Sequence, residues 1–399
     1  MNLKIAKWKD NCSSPVLFKI DDLANIYIKK SSSKKLKIGE DWGHCSFDKN
    51  SMWDFLTKNL LNKFPHIKTT FFLVSKKRAS ITEDTHYTYN QAMDGDKRFI
   101  DFLKYLHKNP KVELSYHGTS HGKAGKDIKD FQQEWETFQT LTEAITTISE
   151  GKELFKSILG DYPTGGKYCG YKEGKFGKDS ITQSGFKWWC YHEDNLKWDK
   201  KSIDKRYTYD LEFIQGVVNI PTTVDASNLS LRIINKLFTR KYLKSIYLYL
   251  KEGKTVEKHI QSLLKNKEVI SVYEHTSPYM TNDTIQYPNI ISDIDNLNLI
   301  FTLLEKEHVW YATCNEVANY FIDRHNTQIE VKGNSFKLLS HKNLNSEITL
   351  TLPYKGEILS LYNEENQFIK RFILNKQELY ITYAFEINKL YRIKEMSEN

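Results

Sequence analysis

No stretch of this sequence approaches the run of about 18 apolar residues that a membrane-crossing helix needs. Met1 to Lys19 also lacks the continuous apolar core of a signal peptide, so the expected location is cytoplasmic. Cysteine is scarce. The five present (Cys12, Cys45, Cys169, Cys190, Cys314) are an odd number without close spacing, which argues against a disulfide framework and for a reducing compartment. Basic residues outnumber acidic ones by 58 to 50, but the lysines are scattered and no nucleic-acid-type tract forms. Nucleic acid is therefore not an expected partner, whereas an acidic glycan, a nucleotide sugar or an anionic membrane surface is compatible with a net charge of +8. With 40% apolar and 13% aromatic residues, the 399-residue chain is a folded protein long enough for two domains.

Against these absences, one stretch stands out. Val112 to Gly122 (VELSYHGTSHG) reads as a short strand in which Val112, Leu114 and Tyr116 alternate with more polar neighbours. It ends in His117 and His121, with Gly118 and Gly122 breaking the strand. In a helical turn, residues four apart share a face, so both imidazoles would converge on one point, as a zinc-like ion requires. A lone pair of histidines at this spacing is more often a surface or hydrogen-bonding pair. The deciding question is what other strands deliver to the same place.

The chain supplies several such strand ends. Pro15 to Ile20 is an apolar strand terminating in Asp21-Asp22. A polar loop, Lys29 to Lys37, leads to the cluster Glu40-Asp41-Trp42-Gly43-His44, from which Asp41 or His44 would also reach a site. Ser51 to Phe64 is helical in pattern, Ile67 to Val74 a buried strand, and Phe99 to His107 helical again. Asp127 to Leu159 carries an apolar stripe that predicts one packing helix with a break near Gly151. The glycine-rich segment Gly165 to Tyr171 brings backbone close to a ligand, and strands follow near Trp189 and at Gln215 to Pro221. Leu229 to Leu250 is a basic amphipathic stretch. It is read chiefly as docking on its own domain, with weak membrane-surface contact through 229–251 as the alternative. Val269 to His275 is a strand ending in histidine, and Asp293 to Asp323 adds helix, strand and helix. Alternating strands and helices predict a parallel α/β sheet or barrel, with its site at the carboxyl ends of the strands. From Gln328 onward, short alternating segments predict a small β-sandwich.

Taken in order, these strand ends resemble the polysaccharide deacetylase (NodB-homology carbohydrate esterase) family over residues 12 to 323. Phe18 to Asp22 matches the opening aspartate pair, and Thr70-Phe71-Phe72 the next strand. His117-Gly118-Thr119-Ser120-His121 matches the two-histidine motif, and Lys167 to Tyr171 loosely matches the third motif. Val272 to His275 matches the last motif, and Trp310 to Val317 the closing strand and helix. The chain departs from the family pattern at Gly118, where a hydroxyl residue is usual, at Lys167 in place of arginine, and at Cys169 in place of proline.

The resemblance implies a distorted (β/α) barrel in residues 1–325, with 229–265 a helical insertion; it does not cover the β-sandwich accessory domain that the strand pattern predicts in 326–399. It implies a divalent metal, Zn²⁺ foremost with Co²⁺, Ni²⁺ or Mn²⁺ as alternatives, held by Asp22, His117 and His121. Asp41 is the alternative carboxylate. Asp21 would act as general base and His275 as general acid, with Lys167, Gly170 and Tyr171 near the substrate or its oxyanion. Asp194 or Asp199 would orient His275, and Trp42, Tyr171 and Trp198 offer faces to sugar rings. The implied activity is removal of an N-acetyl group from a sugar or polysaccharide in surface-glycan metabolism. Two rivals remain on this reading. One is an inactive glycan-binding scaffold on the same fold, and the other a metal-dependent amidohydrolase for a small non-sugar amide.

Overall fold

The computed structural model describes residues 1–27, 51–80, 83, 89–191, 209–226, 256–276, 288–356 and 358–395. The Glu40–His44 cluster, Asp194, Trp198, Asp199 and the basic stretch 229–251 lie outside these residues. The described chain divides into two compact units, 16–307 with 311–315, and 1–15 with 308–310 and 316–399.

The larger unit is built on one sheet. Its strands are β1 (Pro15–Leu23), β2 (Thr69–Leu73), β3 (Val112–Tyr116), β4 (Gly165–Lys167), β5 (Trp188–Cys190), β6 (Glu212–Ile214), β7 (Val217–Asn219), β8 (Val224–Asp225) and β9 (Ile270–His275). They lie in the order β6-β7-β5-β4-β3-β2-β1-β9-β8. Every neighbouring pair on this path is parallel except β6 with β7. The sheet curls into an incompletely closed, distorted (β/α) barrel, as the strand–helix alternation predicts. Strands covered on both faces are mostly apolar, and all nine residues of β1 are buried, Lys19, Asp21 and Asp22 included. The helices α1 (Met52–Leu56), α2 (Lys97–Lys108), α3 (Glu134–Thr137), α4 (Leu141–Leu159), α5 (Gly177–Gln183) and α6 (Ile290–Leu304) lie between strands in sequence. None of the described helices is long and apolar enough to cross a membrane.

Two helical expectations are corrected. Asp127 to Leu159 is not one helix. A short α3 ends at Phe138 in extended backbone, and α4 restarts where Thr140 accepts a hydrogen bond from the Glu143 amide. Nor does the helix break at Gly151. A Cβ there would stand 2.7 Å from the Tyr116 ring and 2.9 Å from Thr119 Oγ1, so the glycine allows close approach to β3 and its turn. At the helix's far end Gly160 takes the left-handed conformation of a terminator.

The smaller unit is a sandwich of two antiparallel sheets. One joins Ile348–Pro353, Glu378–Tyr383 and Ile373–Asn375, and the other comprises Gln328–Lys332, Ser335–Leu339, Tyr391–Glu395, Leu359–Tyr362 and Phe368–Arg371. Leu350, Leu352 and Ile381 meet Phe336, Leu338, Leu361 and Ile393 in one core. The sequence reading starts this region at 326, but the unit also recruits the amino terminus. Lys4–Ile5 adds an edge strand to Ile348–Pro353, Leu3 joins the core, and the Tyr320 hydroxyl donates to the Ala6 carbonyl at 3.0 Å. Tyr320, in the helix α7 (Cys314–Asn326), belongs to the same core, which is why the boundary falls before this helix ends. The four described cysteines, Cys12, Cys169, Cys190 and Cys314, are free and buried.

Trp8 is fully buried in this amino-terminal segment, and the Lys7 carbonyl accepts from Arg324 at 2.8 Å. Truncating it by Trp8→Ala is expected to destabilise the unit by about 3–5 kcal/mol. Urea unfolding followed by intrinsic fluorescence checks this, and an unchanged midpoint would mean the segment is only draped over the sandwich.

Candidate metal centre

The carboxyl ends of β1, β3, β4 and β9 bring six of the expected residues together. β1 and β9 pair in register with His275 beside Asp21. After Ile20 the register between β1 and β2 slips, and Asp22 takes a left-handed backbone (φ +68°). This bulge turns the two aspartates to different partners. Thr276 clamps it, its amide donating to the Asp21 carbonyl at 3.1 Å and its hydroxyl to the Asp22 carbonyl at 3.0 Å.

Asp22 Oδ1 lies 3.0 Å from His121 Nε2 and 3.4 Å from His117 Nε2, with all three side chains buried. The imidazoles converge, though not as a helical pair. Gly118 (φ +84°) and His121 (φ +69°) are both left-handed, and the residues between them form a tight turn. His117 Nδ1 sits 3.1 Å from the Lys167 carbonyl, which can only accept. In the neutral ring the proton is therefore on Nδ1, which leaves the Nε2 lone pair for a ligand. Burial, followed by the nearby Arg78 guanidinium, pushes His121 down to about 4 despite the opposing pull of Asp22, so that ring is neutral at physiological pH.

Each aspartate carries its own buried cation. Asp22 Oδ2 accepts from Arg78 at 3.1 Å, and Asp21 Oδ2 pairs with Lys167. Burial alone would raise both carboxyls. Lys167, His117 and His275 overcome it at Asp21, as do Arg78 and His121 at Asp22, so both titrate below the ordinary value and Asp22 well below it. Asp21 Oδ1 is buried without a hydrogen-bond partner among the described residues. His275 Nε2 faces Asp21 Oδ2 at 3.8 Å, and its Nδ1 donates to the Pro288 carbonyl at 2.7 Å.

Two imidazole nitrogens and one carboxylate oxygen on a common point suit a divalent ion and leave coordination positions free. The ligand atoms of His117, His121 and Cys169 also lie within 4.8 Å of one another. Asp22 is the better third donor. Burial pushes the Cys169 thiol well up, and its Sγ is 3.2 Å from the His117 carbonyl, to which it donates.

The expected oxyanion residues fare differently. Lys167 is in the site, but as the partner of Asp21, with Nζ 4.1 Å from the Tyr171 ring centre and 4.8 Å from that of Tyr273. The Tyr171 amide donates to the Tyr168 carbonyl, so it is not free for an oxyanion, and the hydroxyl bonds to Thr222. Gly170 packs against the Gln133 side chain. Asp41 lies outside the described residues.

Sequence reasoning missed two residues. Arg78 sits in Lys76-Lys77-Arg78, which looks like a solvated basic run, yet it is 3% exposed. Glu134, 2% exposed, accepts the backbone amides of Thr119, Ser120 and His121. Burial raises its carboxyl, and those amides offset only part of the rise.

An open α/β barrel with a carboxylate–imidazole cluster at its strand ends defines the class of site. No family model matches the sequence, and no curated protein matches it significantly. Solved structures similar in fold include a Mycobacterium smegmatis protein assigned as a polysaccharide deacetylase, with 12% identity, covering 82% of this chain and 97% of that one, and a TM-score of 0.45. They also include an allantoinase, with 14% identity, 78% and 91% coverage, and a TM-score of 0.44. A third is a CE4 family pseudoenzyme from Bacillus anthracis, with 11% identity, 77% and 66% coverage, and a TM-score of 0.36.

The buried neutral His121 gives metal-free protein a pH dependence. In the unfolded chain this ring binds a proton near pH 6.5, and in the folded chain near 4. Between those values the unfolded state holds more protons, so stability is full above about pH 6.5 and falls as pH drops toward 4, by on the order of 3 kcal/mol. Urea midpoints at pH 7 and pH 4.5 in the presence of a chelator test this, with a shallower fall expected in His121→Gln. Equal slopes for the two proteins would show that His121 is not the group responsible.

Proposed function

We propose that the chain is a metal-dependent hydrolase that removes an N-acetyl group from a sugar. The observation that carries this is the meeting of Asp22, His117 and His121 at 3.0 and 3.4 Å, flanked by a second carboxylate, Asp21, and a third imidazole, His275. The order of these motifs in the sequence supports the same reading. A divalent ion at these donors would polarise the acetyl carbonyl and acidify a water.

The chain's own groups do the remaining work. Asp21, ionised at neutral pH, has Oδ1 without a partner in which to receive the water's proton, while Lys167 holds Oδ2. His275, oriented by the Pro288 carbonyl, presents Nε2 to the site and would pass a proton to the leaving amine, which departs poorly without one. The substrate is an acetylated sugar or a carrier-linked precursor of a surface glycan.

The buried cations favour a second reading. Arg78 and Lys167 already neutralise both aspartates, so the cluster is charge-balanced by the protein itself. This is the arrangement an inactive glycan-binding scaffold would keep.

Acetate release from N-acetylglucosamine oligomers and from an N-acetylated nucleotide sugar, measured beside bound metal, separates the two. Enzyme activity requires stoichiometric Zn²⁺ in the wild type, its loss in Asp22→Ala and His117→Ala, and a decline of at least about 100-fold in turnover for each. Asp21→Asn should keep the metal and lose turnover by about 10²–10⁴-fold. Metal with no turnover of any acetylated glycan would favour the scaffold. Equal acetate release by wild type and variants would end the metal-hydrolase reading.

A further inference from the structure

The turn that presents the two imidazoles is held from two sides. On one side its carbonyls are taken by the segment after β2. The amides of Ser75, Lys76 and Ala79 donate to the carbonyls of Gly118, Thr119 and Ser120 at 3.2, 2.7 and 2.8 Å. On the other side the amides of Thr119, Ser120 and His121 all end on one side chain. Glu134 Oε2 accepts from them at 2.8, 2.7 and 2.8 Å, and its Oε1 also accepts from Thr119 at 2.8 Å. Three successive amides aimed at one point form an anion-binding concavity, here filled by the protein's own carboxylate.

The fit is mutual. A Cβ on Gly118 would stand 2.7 Å from Glu134 Oε2, so the missing side chain is what admits the carboxylate. Glu134 is itself fixed by its neighbour Trp135, whose ring lies 5.0 Å from Tyr168 and 5.6 Å from Trp189. The turn needs such a restraint because His121 is a non-glycine residue in the left-handed region, a conformation that costs about 1–2 kcal/mol.

We propose that Glu134 is a positioning residue for the metal centre, gathering the 119–121 amides so that His117 and His121 both face Asp22. The proposal rests on the metal reading above. It assigns no step to Glu134, which touches neither substrate nor reacting atoms.

The test uses the full chain stripped of metal, with Zn²⁺ alone as probe, and compares wild type, Glu134→Ala and Glu134→Gln. Calorimetric titration gives affinity, and hydrogen exchange by mass spectrometry gives protection of the peptide spanning 117–123. Glu134→Ala, if its circular dichroism is native, should bind Zn²⁺ at least about tenfold more weakly and exchange faster in that peptide. Glu134→Gln, which keeps one acceptor oxygen for the turn but turns an NH2 toward a backbone N–H, should bind Zn²⁺ with an affinity between those of Glu134→Ala and wild type. A merely structural glutamate would lower the melting temperature and leave Zn²⁺ affinity unchanged in the folded variant, and that result overturns the proposal. Should Glu134→Ala not fold, Glu134→Asp, whose carboxylate falls one methylene short, takes its place with the same expectation. If wild type binds no Zn²⁺, the functional reading fails by itself. The exchange arm then decides, with unchanged protection in the variant overturning the positioning role and lost protection upholding it.

Discussion

Two adjacent aspartates are buried at the end of one strand, and the site depends on making that tolerable. An isolated ionised carboxylate in a protein interior is costly enough that the group would otherwise take up a proton. Here the β1 bulge at Asp22 separates the two side chains, and each meets a different cation, Lys167 for Asp21 and Arg78 for Asp22. Both aspartates therefore remain ionised, one with an oxygen toward His117 and His121 and the other with an oxygen that has no hydrogen-bond partner. A buried pair of this kind contributes little net stability, whereas removing one member leaves an uncompensated charge at a cost of about 3–5 kcal/mol. What the two ion pairs contribute is thus the ionisation state they enforce more than strength.

The cations arrive by different routes. Lys167 ends β4, whose parallel pairing with β3 and β5 fixes its height in the barrel. Arg78 sits in a loop, but that loop is stitched to the histidine turn by three backbone bonds and closed by Asn90, which both donates to the Arg78 carbonyl and accepts from its amide. Arg78 and the imidazole turn therefore form one framework. Lys19, two residues before Asp21 and hence on the same face of β1, is a third buried cation, held by the Thr222 hydroxyl at 2.5 Å and the Pro221 carbonyl at 3.1 Å.

The strands and the histidines were legible because they depend on local pattern. Apolar runs such as Pro15–Ile20 and Ile270–Tyr273 announce buried parallel strands, and polar residues at their ends stand out against them. What escaped depends on tertiary burial or on backbone sign. The spacing of His117 and His121 is the same in a helical turn and in the left-handed turn actually formed, so their convergence could be inferred but not its geometry. Trp135 and Phe138 continue the apolar spacing of α4, so the break that frees Glu134 to turn inward leaves no trace in periodicity. Arg78 sits beside an exposed Lys77, and nothing in residue type separates the solvated lysine from the buried arginine. The Lys4–Ile5 strand has two residues, too few for any period.

These misses bear on the departures from the family pattern. Read from sequence alone, Gly118 is a loss, since it removes a side chain between the two histidines. In the structure that vacancy is occupied by a carboxylate from a different segment, and the turn's three amides have an acceptor. Lys167 likewise reads as a weakened arginine, yet it places an ammonium on Asp21 and lies over the rings of Tyr171 and Tyr273. A point charge of this kind pairs with one carboxylate oxygen, where a guanidinium fork would engage two. With lysine at this position, Asp21 Oδ2 is held while Oδ1 has no hydrogen-bond partner among the described residues, so one oxygen of the carboxylate stays available.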